Sequence, residues 1–96
     1  MSIIKNPVHP GEVLSELFLE PLNMSAGALA KRLDLPRTRI ERLVKGETAM
    51  TADTALRLSA FFGSTPEFWL NLQRGHDIAQ ARKVVDISHI EPLVAA

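Results

Sequence analysis

Residues 24–50 of this 96-residue chain concentrate cations: Lys31, Arg32, Arg37, Arg39, Arg42 and Lys45 stand against Asp34, Glu41 and Glu47, a net of +3. Cations of this density bind phosphate, and arginine also pairs with the acceptor edge of guanine, so the chemistry on offer is recognition of nucleic acid. Spacing sharpens this. At about 100° per residue, Thr38, Arg42 and Lys45 project together from a helix, opposite Ile40 and Leu43. Arg37 and Glu41 flank that face on one side and Arg39 on the other. A helix of this kind fits the major groove of B-DNA, where Thr38 can meet a thymine methyl or a hydrogen-bonding edge. A solvated basic face is the plain alternative for such a charge run.

The elements that must position these residues lie in Ala26 to Lys45, AGALAKRLDLPRTRIERLVK. Leu29, Ala30 and Leu33 form one apolar stripe behind Ser25, which suits an N-cap. Asp34 interrupts the stripe, and Pro36 suits the first position of a new helix, where a missing N–H is harmless. Ile40, Leu43 and Val44 make the second stripe, and Gly46 suits the residue just past the helix end. The pattern is a helix, a tight turn and a second helix. Ala30 is small enough to let two helix backbones approach, which favours a DNA-reading helix-turn-helix over a merely solvated basic face.

Composition bounds the rest. A chain of this length is expected to form a single domain over 1–96, with a core at about 9–83 and a tail at 84–96; it buries on the order of 60–65% of its unfolded surface. Cysteine is absent, which excludes disulfides and thiolate metal sites. No apolar run approaches the roughly 18 residues of a membrane span, and the N-terminus lacks a signal-peptide pattern, so a cytoplasmic protein is expected. Formal net charge is zero, but it is segregated: residues 1–23 carry Lys5 against Glu12, Glu16 and Glu20, a net of −2.

Along the chain, Ile3 to Val8 reads as a short extended arm. A helix is expected from His9-Pro10-Gly11-Glu12, with Val13, Leu14, Leu17 and Phe18 facing inward and Pro21 ending it. Glu12, Glu16 and Glu20, four apart, form an acidic ridge on its other face, which is either a solvated surface or a docking surface for a basic partner. Thr51 caps a helix whose inward residues are Ala55, Leu56, Leu58, Ser59 and Phe62, and Gly63 ends it. Thr65-Pro66-Glu67 opens a last helix through Phe68, Trp69, Leu72, His76 and Ala79 to about Arg82. Phe61, Phe62, Phe68 and Trp69 suit a core or a subunit contact. Val84 to Ser88 is a candidate short strand, and His89 to Ala96 a loose tail. His9, His76 and His89 show no metal-ligand spacing, and no nucleophile, phosphate-loop or dinucleotide motif occurs, so no catalytic residue, metal or cofactor is expected.

These stretches also carry a resemblance. HPGE at 9–12, EPLNMS at 20–25, LAKRLDLPRTRIERLVKG at 29–46, TADTALRLSAFFG at 51–63 and TPEFWLNLQ at 65–73 resemble the HigA group of antitoxins, within the phage-repressor-like helix-turn-helix superfamily. The resemblance spans about 9–83 and implies an all-α, five-helix domain. It further implies a protein that dimerises, binds its own operator as an autorepressor, and neutralises a small RelE-like HigB-type toxin that cleaves mRNA on the ribosome. By position in the motif, Arg37, Thr38 and Arg42 match the base-facing residues of repressors, while Arg39 and Lys45 match backbone contacts. Two departures stand out: Ala26 replaces the glutamine that often anchors a phosphate, and Asp34 replaces the turn glycine. Ser25 and the helix N-terminal amides remain available to the backbone.

The expected protein is therefore a non-enzymatic DNA-binding antitoxin. Its rivals are a free-standing phage-like repressor and an interaction module with little DNA binding. A single reading helix covers few base pairs, so a homodimer on an inverted repeat is expected, its helices about 34 Å apart. Leu70, Ile78, Ala81 and Val84, which lie off the expected inward stripe of the last helix, are the candidates for that interface.

Overall fold

The computed structural model describes residues 8–94, so the expected arm at Ile3 to Val8 lies outside the described residues except for Val8, which is half-buried. Among the described residues five helices follow one another. The first, α1, spans residues 10–22 in three continuous segments: α-helical Pro10–Val13, π-helical Leu14–Leu19 and α-helical Glu20–Leu22. Then come α2 (Ala26–Leu33), α3 (Arg37–Val44), α4 (Ala52–Phe62) and α5 (Pro66–Val84).

The π segment corrects two expectations about α1. Wider winding places residues five apart on one face, so Leu14 and Leu19 are buried while Leu17, placed inward by a 3.6-residue period, is 47% exposed. Pro21 does not end the helix either. Its ring would collide with the carbonyl four residues back in tight α winding; the widened turn before it relieves this, and the helix runs on to Leu22. Asn23 closes it in the left-handed region, with φ 53°.

The helix-turn-helix forms where its stripes place it. Ser25 Oγ accepts from the Ala28 N–H at 3.0 Å. Asp34, with φ 59°, supplies the left-handed residue that ends α2, and the Leu35 and Asp34 N–H groups close back on the carbonyls of Ala30 and Lys31. A short polar side chain tolerates that conformation, so glycine is not required. Pro36 differs from its expected place: it is the N-cap, with an extended ψ of 142°, and α3 starts at Arg37. At the other end the Gly46 N–H donates to Leu43 O and the Glu47 N–H to Arg42 O, at 3.0 and 2.9 Å, the paired bonds of a glycine-terminated helix.

One core joins all five helices. Leu14, Leu29, Ile40, Leu43, Leu58 and Trp69 have almost no exposed surface, and burial of each such side chain contributes about 1.5–3 kcal/mol. Phe18 brings the aromatic residues together, its ring centroid 4.8 Å from Phe62 and 5.0 Å from Trp69. Thr51 and Thr65 cap α4 and α5 as expected, and Gly63 ends α4 with φ 77°.

Three further expectations change. Leu56 points outward, whereas Thr54, Ala55, Leu58 and Ser59 are the buried residues of α4. On α5 the buried pair is Trp69 and Gln73, not a stripe from Phe68, because Gln73 Oε1 accepts the Met50 N–H at 2.6 Å in the interior. The expected strand at Val84 to Ser88 is absent, and the described residues contain no strand. Helix α5 instead continues through Val84 with Arg82 and Lys83 in its last turn, where cations complement the helix dipole. Residues 85–94 follow as an exposed non-helical tail.

Candidate nucleic-acid interface

Helix α3 is gripped along its inner side and free along its outer side. Ile40 and Leu43 are buried, while Arg37, Thr38, Arg39, Arg42 and Lys45 are all exposed. The helix meets α1 at its C-terminal end, where contact is so close that a Cβ added to Gly11 would lie 1.7 Å from the Leu43 carbonyl oxygen. Glycine is needed there for space. His9 completes this junction: its Nδ1 accepts the Gly11 N–H at 2.9 Å, capping α1, and its ring stands edge-on to His76 of α5 with centroids 5.1 Å apart. Burial, followed by the neighbouring His76, holds the pKa of His9 below its ordinary 6.5, which favours the neutral ring that the cap requires.

At the N-terminal end of α3, the aliphatic stem of Arg37 lies over Gly27, where an added Cβ would meet Arg37 Cδ at 2.8 Å. The Arg37 head group pairs with Glu41 at 3.4 Å, yet its side chain is 72% exposed. Such a pair is weak and readily exchanged for another partner. Thr38 and Arg42 line an open cleft of about 610 Å³ together with Arg39, Thr48, Asp53 and Arg57.

Arg39 and Ser25 sit differently from each other. Arg39 Nη1 donates to Asp53 of α4 at 2.7 Å, so it is already engaged within the protein. Ser25 Oγ accepts the helix cap bond while its hydroxyl proton remains available as a donor. Lys45 is exposed at the end of α3. The surface thus combines three outward side chains suited to base edges with flanking donors suited to phosphate.

Asp53 and Arg57 carry a role that residue types alone did not suggest. Arg57 Nη1 donates to the Leu33 carbonyl at 2.8 Å and to that of Asp34 at 3.3 Å, filling acceptors left open at the end of α2. Its Nε reaches Asp53 at 3.2 Å. Their i, i+4 spacing on a capped helix is the signal that pairs them; the reach to α2 and α3 depends on the fold.

The remaining candidates fall on other elements. Glu12 and Glu20 are exposed on α1 and Glu16 is half-buried. On α5, Ile78, Ala81 and Val84 are exposed, whereas Leu70 packs partly against the core. Among the described residues no cluster of potential metal ligands occurs, and no helix is long and apolar enough to cross a membrane.

Comparison with known proteins agrees with this geometry. A helix-turn-helix family profile matches residues 16–70. Antitoxin HigA-1 of Vibrio cholerae is 40% identical over 78 residues, covering 81% of this chain and 73% of that protein. A solved addiction module antidote protein of a HigA family, from Coxiella burnetii, is 46% identical with a TM-score of 0.80, covering 91% of this chain and 98% of that one. Antitoxin HigA of Pseudomonas aeruginosa, solved with the higBA promoter, is 33% identical with a TM-score of 0.84, covering 93% of this chain and 100% of that one. With the reading helix, its turn and its supporting helices all in place, the chain belongs to the helix-turn-helix family, among the HigA-type antitoxins and their related transcriptional regulators.

Proposed function

We propose that this chain acts in the cytoplasm as the antitoxin of a toxin–antitoxin pair, binding its own operator as a homodimer and neutralising a small basic RelE/HigB-like mRNA-cleaving toxin. The observation that carries the DNA half is the row Arg37, Thr38 and Arg42, exposed on a helix held by buried Ile40 and Leu43 and packed at its C-terminal end against Gly11 of α1. Arg37 and Arg42 read bases, Thr38 contributes a methyl or hydroxyl contact, and Ser25, Arg39 and Lys45 meet the backbone. That a Pseudomonas aeruginosa HigA has been solved with promoter DNA supports the same use of this surface here.

Two reading helices related by two-fold symmetry address an inverted repeat, with half-sites about one turn apart. Ile78, Ala81 and Val84 offer exposed apolar area on α5 for the dimer contact, with Leu70 at its margin. The toxin meets the acidic ridge of Glu12, Glu16 and Glu20, which lies on a different helix from the reading face. Both functions therefore have their own surface.

The experiment is operator titration and toxin co-purification on two variants. Arg37→Ala/Arg42→Ala removes two exposed side chains and should change stability by no more than about 0.5 kcal/mol each. Each lost bidentate contact is worth about 1–3 kcal/mol, so operator affinity should fall by roughly 100-fold or more, while toxin binding is kept. Charge reversal at Glu12 and Glu16 should weaken the toxin complex and spare the operator. Normal operator binding by the folded double-arginine variant would remove α3 as the reading helix; loss of toxin in that variant would unite the two surfaces.

A further inference from the structure

We propose that Asp53 is a positioning residue that restrains Arg39, lowering affinity for DNA of any sequence and so setting how tightly, and with what salt dependence, the protein holds DNA. This rests on the DNA-binding reading above. It adds to that reading a carboxylate on the DNA-facing surface with a defined task.

The geometry is a relay from one helix of the motif to the other. Arg57 is tied to the end of α2 by the Leu33 carbonyl at 2.8 Å. Its Nε holds both oxygens of Asp53, at 3.3 and 3.2 Å, and Asp53 Oδ2 accepts from Arg39 Nη1 of α3 at 2.7 Å. The Asp53 and Arg39 side chains are 53% and 45% exposed and line the same open cleft as Thr38 and Arg42. A carboxylate so placed repels the phosphates of an approaching polyanion. Asp53 lies in the first turn of α4, where a helix N-terminus would otherwise attract phosphate.

Non-specific binding is supplied almost wholly by phosphate contacts, each contributing about 0.9 to the slope of log affinity against log salt. Base contacts by Arg37 and Arg42 supply discrimination instead. With its Nη1 on Asp53, Arg39 holds one orientation beside the groove, and its charge is partly cancelled before DNA arrives. A free arginine at the same place would grip the backbone of every sequence equally. Asp53 thus weakens, without abolishing, a backbone contact that carries no sequence information.

The test is titration of wild type, Asp53→Asn, Arg39→Ala and the double variant against operator and scrambled duplexes over a salt series, with circular dichroism on each. Asparagine preserves shape and a hydrogen-bond acceptor for Arg57. Asp53→Asn should bind both duplexes several-fold more tightly than wild type and steepen the salt slope by up to about 0.9 per chain, with the operator-to-scrambled ratio unchanged. In the Arg39→Ala background the same substitution should leave the slope unchanged. An unchanged slope and scrambled affinity in Asp53→Asn, weaker scrambled binding, or an equal slope effect without Arg39, would each overturn the proposal while operator binding by wild type stands. Failure of wild type to bind its operator would overturn both readings.

Discussion

Replacing Gly11 by alanine should damage the protein far more than the loss of one glycine suggests. The added Cβ would fall 1.7 Å from the Leu43 carbonyl oxygen, 2.6 Å from its carbon and 3.1 Å from His9 Nδ1. Even close carbon–oxygen contacts settle at about 3.3 Å, so α1 and the end of α3 must separate by roughly 1.5 Å. The obstacle is backbone, which no rotamer change relieves. Overpacking a well-filled site costs about 1–3 kcal/mol and occasionally more; the upper end is expected here because the cap from His9 is disturbed as well. For a domain of this size each kcal/mol moves Tm by about 4–8 °C, so a fall of at least about 10 °C is predicted. The displaced end of α3 carries Arg42 and Lys45, so operator affinity should also drop when measured well below the transition. Thermal unfolding followed by circular dichroism, with operator titration, checks both. Gly75→Ala is the control: nothing lies within 4 Å of its added Cβ, and alanine in the α5 interior should stabilise by about 0.4–1 kcal/mol. If Gly11→Ala melted within about 2 °C of wild type, the packing of α1 against α3 would not be what locates the reading helix.

Three other outcomes are expected. Lys45→Ala should weaken binding to all DNA sequences about equally and flatten the salt slope by nearly one unit per chain, as titration over a salt series will reveal; an unchanged slope removes Lys45 from the phosphate contacts. Sedimentation should find a dimer at micromolar concentration, and Ile78→Asp/Val84→Asp should shift it toward monomer; a wild-type protein that stays monomeric with and without DNA refutes the two-fold arrangement. Because His9 is held below its ordinary 6.5, the unfolded chain takes up the proton more readily than the folded one. Stability should therefore be full above about pH 6.5, decline as pH falls below it, and level off beneath the folded-state pKa. His9→Asn, which retains a capping side chain, should flatten that decline in denaturant titrations across pH.

Residue types and spacing alone determined most of the local structure. Ser25, Thr51 and Thr65 cap helices because a side-chain oxygen beside an open helix N-terminus has little else to bond. Leu29, Ala30, Leu33, Ile40 and Leu43 face inward because 3.6-residue periodicity leaves an amphipathic helix one apolar side. The outward placement of Thr38 and Arg42 follows from the same periodicity. Tertiary structure decided what periodicity cannot express. Leu17 turns out and Leu19 turns in because α1 winds wider between Leu14 and Leu19, a choice made where Pro21 and the core compete for one stretch of backbone. Gln73 displaces an apolar residue from the interior because the Met50 N–H, in a loop distant along the chain, needs an acceptor there. Gly11 reads locally as part of a helix start, and only its contact with the Leu43 carbonyl reveals a position without room for any side chain. Arg39 is the clearest case. Its type and place on α3 mark it as a cation for phosphate, but Asp53 comes from another helix 14 residues along the chain, and a pairing across that separation exists only once α3 and α4 have packed.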